Sequence, residues 1–104
     1  MATVRWTVGA RGDLRDIVAN VSQDSAVYAA ALAGRIVAAV ERLRRFPSRG
    51  RIVPEYEDPT IRELIVGNYR VVYRFQRLRV GIVAIVHASR DLLRRLPSAP
   101  WDIG

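Results

Sequence analysis

The stretch Ile61-Arg62-Glu63-Leu64-Ile65-Val66-Gly67-Asn68-Tyr69-Arg70-Val71-Val72-Tyr73-Arg74-Phe75-Gln76 decides how this chain folds. Two runs rich in branched and aromatic residues flank Gly67-Asn68, a two-residue turn with glycine first, and this combination predicts a β-hairpin. The turn sets the register, with Val66 opposite Tyr69, Leu64 opposite Val71 and Arg62 opposite Tyr73. Those residues share a largely apolar face that should pack on helices. The other face carries Ile61, Glu63 and Ile65 beside Arg70, Val72 and Arg74, so an acid and two arginines project together toward solvent or a ligand.

Downstream, Arg77 to Arg79 make a polar turn, and residues 80–86 form a nearly continuous apolar run, the pattern of a central strand. His87 falls at its end, and residues 91–96 suit one helical turn before Pro97. Upstream, Val4, Trp6 and Val8 alternate with polar residues as in a half-buried strand, which Gly9 and Gly12 are expected to break. A first helix is expected from Asp13, with Leu14, Ile17, Val18 and Val21 at helical spacing and Asp13 near its positive end. The polar break at residues 22–25 supplies the cap of a second helix carrying Val27, Ala31, Ile36, Val40 and Leu43, closed by Phe46-Pro47. Residues 47–60 hold Pro47, Gly50, Pro54 and Pro59 and read as a long ordered loop. The expected fold is α+β: an N-terminal strand, a helical hairpin, and a three-stranded antiparallel meander forming a small sheet on the helices. One domain spans residues 1–97, and residues 98–104 form a tail.

The chain has 104 residues, of which 50% are apolar and 26% charged, the balance of an ordinary single globular domain. Arg35, Glu41, Arg42 and Arg44 interrupt the longest hydrophobic stretch, so no membrane span is expected. The amino terminus lacks the basic start and apolar run of a secretory signal, which points to the cytoplasm. Without cysteine there is neither a disulfide nor a thiolate metal site. All 17 basic residues are arginine, against ten acids, for a net charge of +7. That excess favours a nucleic-acid backbone or an acidic protein as partner. The absence of lysine excludes mechanisms that need a neutral amine as base.

Glu63, Arg70 and Arg74 have a plain reading as a cross-strand ion cluster that contributes little at a surface. Their chemical reading is a phosphate held by guanidinium groups, with Glu63 as base and His87, the single histidine, as general acid. One histidine and scattered acids do not make a metal site, and no cofactor is expected. Arg42, Arg44 and Arg45 suit the negative end of the second helix. Arg49 and Arg51 in the loop, with Arg62 and Arg90 nearer the sheet and Trp101 in the tail, are the candidate contacts for a partner or nucleic acid. Only Phe46 and Tyr56 lie near the loop pair as stacking platforms.

The order of these residues resembles the RelE/ParE toxin superfamily. The likeness runs from Val4-Arg5-Trp6-Thr7 through Asp13-Leu14 and Ile17 to Leu43 and Phe46-Pro47, then Gly50-Arg51 and Pro54-Glu55. It continues with Ile61-Arg62-Glu63-Leu64, the segment from Gly67 to Arg74, and Val86-His87-Ala88-Ser89-Arg90-Asp91. The resemblance implies the toxin of a type II toxin-antitoxin pair, bound in a hetero-oligomer by an acidic antitoxin whose extended segment and helix wrap it. RelE-like members cut messenger RNA on the ribosome without metal, whereas ParE-like members poison DNA gyrase. The chain lacks the lysines and the aromatic or histidine residue close to the carboxyl end that RelE-like ribonucleases commonly use. Its loop and its ending look more like ParE relatives. Gyrase inhibition is therefore the expected action. The alternatives are a ribosome-dependent endoribonuclease using Glu63, Arg70, Arg74 and His87, or an inactive relative that binds only its antitoxin.

Overall fold

The computed structural model describes residues 1–96. In chain order the elements are β1 (Thr3–Trp6), α1 (Val8–Ser22), α2 (Ala26–Glu41), a 3-10 turn (Arg42–Arg44), β2 (Arg51–Ile52), β3 (Ile61–Val66), β4 (Tyr69–Gln76), β5 (Arg79–His87) and α3 (Leu92–Arg95). Trp101 and the expected tail lie outside the described residues.

The hairpin forms as its turn dictates. Gly67 takes a left-handed φ of 57°, and Val66 pairs with Tyr69, Leu64 with Val71 and Arg62 with Tyr73. β5 continues the antiparallel meander beyond β4, and β1 returns to pair with it in parallel, giving the strand order β1-β5-β4-β3-β2. Leu64, Val66, Val71 and Tyr73 pack with Leu32, Ile36, Val40 and Leu43 in the main core. The hairpin face that the turn register assigns to the helices is thus the one they cover.

Three expectations need correction. The break at Gly9 and Gly12 does not occur, because α1 starts at Val8 directly after β1. Thr7 makes this possible: its hydroxyl oxygen accepts the Ala10 N–H at 3.1 Å and its O–H donates to the Ile82 carbonyl at 2.8 Å. A good cap offsets the roughly 1 kcal/mol that each helical glycine costs relative to alanine. The loop over residues 47–60 also contains a strand, since Arg51 and Ile52 pair with Glu63 and Arg62. Two residues flanked by proline and glycine carry no readable strand pattern.

The third correction concerns the far face of the hairpin, which is not open to solvent. Ile61 and Val72 join Val53, Val83, Ala84, Val86 and Leu92 in a second buried cluster, with Tyr56 and Leu96 against it. A bulge between Val72 and Tyr73 helps to build it, because Val72 pairs with Ala84 while Tyr73 pairs with Ile82. The extra residue lets Val83 and Ala84 join the second cluster while Ile82 and Ile85 stay in the first. The apolar run of β5 is continuous because both faces of this strand are covered.

Tyr73 ties the loop to the sheet. Its hydroxyl donates to the Pro47 carbonyl at 2.8 Å and accepts the Gly50 N–H at 2.9 Å. A methyl group on Gly50 would lie 2.5 Å from that hydroxyl and 2.7 Å from the Glu63 carbonyl, so the close approach requires glycine. Tyr73→Phe strands a buried amide and should lower stability by about 1–3 kcal/mol. Gly50→Ala should cost more than Tyr73→Phe, and urea unfolding of the two variants checks the order.

Candidate functional site

Arg70 sits on β4 and is buried, which a guanidinium tolerates only with its donors paired. Its Nε donates to Glu63 Oε1 at 2.5 Å. Its two terminal nitrogens donate to the two carboxylate oxygens of Glu55, each at 2.8 Å. The remaining Glu63 oxygen takes the Arg51 Nε at 2.5 Å. Four side chains from β2, β3, β4 and the loop therefore form one network around a Glu63 side chain with 0% exposure. The Arg70 guanidinium holds the Glu55 carboxyl below the usual carboxylate range, and Glu55 in turn raises Arg70.

His87 belongs to a different place. It pairs with Tyr69, whose ring meets it edge-on at a centroid distance of 5.3 Å, and Tyr69 packs against the main core. Strand alternation thus puts His87 on the helix-facing side, whereas Glu63 and Arg70 project from the opposite face. Its Nδ1 accepts the Ser89 N–H at 3.1 Å and lies 2.7 Å from the Ser89 hydroxyl, so a neutral ring carries its proton on Nε2. The ring lines a groove of about 830 Å³ between α1 and the segment after β5, with Asp16, Asn20, Arg90 and Arg94.

The structure brings together Glu63, Arg70 and Arg51, and it separates His87 from them. Arg74 shares the face of Glu63 and lies close enough to Asp58 to help hold that carboxyl below its usual range, behind the stronger effect of the Thr60 N–H and hydroxyl. Arg62 turns to the helix side, where its guanidinium donates to the carbonyls of Gly50 and Ser48 at 2.9 and 3.3 Å. Arg49 and Arg90 are exposed. Glu55 was not singled out by the sequence, although an acid in a proline-bounded loop of an arginine-rich chain is a signal for such a partner. Asp13 was misplaced: its carboxylate accepts the Ile85 N–H at 2.9 Å and binds Arg95, closing the stretch of β5 that β1 leaves unpaired. Among the described residues no three His, Asp or Glu side chains gather as metal ligands, and no helix is long and apolar enough to cross a membrane.

A small sheet carrying a helical hairpin on one face and an arginine-carboxylate network on the other is the architecture of the RelE/ParE class of toxins. The family model for the ParE toxin of type II toxin-antitoxin systems matches residues 4–92, so the chain belongs to that family and is the toxin component of such a pair. It is 37% identical over 91 residues to Toxin RelE2 of Caulobacter vibrioides, covering 86% of this chain and 99% of the relative. Its fold is similar to the chromosomal ParDE system from P. aeruginosa, with a TM-score of 0.69 at 24% identity, covering 84% of this chain and 96% of that one. It is also similar to the toxin-antitoxin complex RelBE2 from Mycobacterium tuberculosis, with a TM-score of 0.60 at 24% identity, covering 83% and 96%.

The network generates two predictions. Glu63→Gln removes one charge of a buried set and should destabilise the chain by about 3 kcal/mol, measured by denaturant unfolding. Glu55 has a depressed folded-state pKa. Its contribution is fully present above its ordinary value of 4.5 and is lost as pH falls through the lower folded value. Thermal unfolding followed from pH 7 to pH 3 should show Glu55→Gln losing less stability than the parent over the acid end of that range.

Proposed function

We propose that this toxin acts by binding DNA gyrase, without chemistry of its own, and that an acidic antitoxin neutralises it in the cytoplasm. The observation that carries this reading is the separation of the two groups a metal-free ribonuclease would need. Glu63 is buried with each carboxylate oxygen on an arginine, which stabilises its charge and opposes proton uptake. His87 faces the other side of the sheet, so base and acid cannot flank one phosphate. Arg70 spends all its strong donors on carboxylates of its own chain. The match to ParE toxins supports gyrase as the target. The net charge of +7 supports an acidic partner, with the exposed Arg49 and Arg90 among its contacts.

Pulse-labelling of a bacterial host after induction of the chain alone tests this. DNA synthesis should fall before protein synthesis, the cells should elongate, and His87→Ala should remain toxic. An earlier fall in protein synthesis, with cut messages and a harmless His87→Ala, would establish ribonuclease action instead.

A further inference from the structure

Between α2 and the outer margin of β3 runs a groove of about 330 Å³. Ala38, Ala39, Leu64 and Val66 supply small apolar walls, and Arg35, Arg42 and Arg49 stand around it. None of its lining residues is acidic, and no ion pair engages these three arginines among the described residues. Three unneutralised guanidinium groups around an apolar trough create a local positive potential that the fold itself leaves unmatched.

The margin of β3 at this groove is unpaired. β2 covers only Arg62 and Glu63. Val66 and Tyr69 flank a two-residue turn and exchange hydrogen bonds, so alternation directs the N–H and C=O of Ile65 away from β4. The Ile65 side chain is 54% exposed. A longer β2 would have covered this position, but the chain turns away at Gly50, whose amide is bound to the Tyr73 hydroxyl. An uncovered strand margin with an outward donor and acceptor is a template for another extended backbone.

We propose that this groove takes an extended, acidic segment of a partner protein, whose backbone pairs with Ile65 and whose carboxylates meet Arg35, Arg42 and Arg49. The assignment rests on the acidic-partner part of the preceding reading and is independent of the gyrase target. Peptide is favoured over nucleic acid because the lining residues include no aromatic ring for a base to stack on, and because Ile65 offers a donor and an acceptor together. A second copy of the chain is disfavoured because pairing two such margins would crowd six arginines.

The probe is an end-blocked eight-residue peptide of alternating glutamate and valine, titrated into the full chain by NMR with amide exchange. The Ile65 amide should shift and exchange more slowly. Arg35→Gln combined with Arg42→Gln should weaken binding by about tenfold, as should glutamine in place of glutamate in the peptide. Both substituted residues are exposed, and the parent spectrum elsewhere reports an intact fold. No perturbation at Ile65 with about 1 mM peptide overturns the proposal. So does equal binding of the glutamine peptide, or preferential occupation of the same amides by a single-stranded thymidine oligonucleotide. The titration uses no toxicity readout, so a ribosomal rather than gyrase target leaves it standing, and its failure leaves the toxin reading untouched.

Discussion

The interaction on which this structure depends is the grip of Arg70 on two carboxylates at once. Removing a guanidinium and a carboxylate from water costs several kcal/mol per ion unless charge and hydrogen bonding are both restored inside. Here the restoration is complete only as a set. Glu63 needs Arg51 as well as Arg70, and Arg70 needs Glu55 as well as Glu63. Because the four residues come from three strands and a loop, forming the set aligns the distal half of the sheet and fixes residues 51–55 against it. The network serves as a clamp, and the same pairing removes it from use as a phosphate site.

The sheet is accordingly two-sided. Its helix face is held by dispersion and apolar burial around Leu32, Ile36 and Tyr73, while its other face combines the ion network with a smaller apolar cluster around Ile61, Val72 and Leu92. The bulge in the β4–β5 pairing lets one strand serve both. Asp13 performs a similar service at the other margin, satisfying an amide of β5 beyond the reach of β1 and anchoring Arg95 after α3. Polar groups here close the places where strands stop short.

The parts legible in the sequence were those set by local chemistry. Gly67-Asn68 defined the hairpin register residue by residue, and Ser25, whose side chain accepts the Tyr28 N–H, opened α2 where a polar break indicated. The α1 boundary was misread because glycine propensity was weighed without the Thr7 cap, whose second partner lies 75 positions away at Ile82. The buried far face was illegible for a related reason: Glu63, Arg70 and Arg74 look like solvent residues until Val53 and Leu92 are known to cover their neighbours. The side on which His87 projects follows from its pairing with Tyr69, across a strand pair whose bulge leaves no mark in the sequence.

The parallel pairing of β1 with β5 joins Thr3 to Arg79 and Trp6 to Ile82. Contacts so distant along the chain carry a large loop-closure entropy and form late. During synthesis, the first strand must therefore wait until the last has been translated before it finds its neighbour. A truncated nascent chain holds the helical hairpin without the central strand beneath it, so a messenger cut short before residue 79 yields no finished sheet. For a protein whose activity stops growth, that dependence makes the full-length product the only poisonous one.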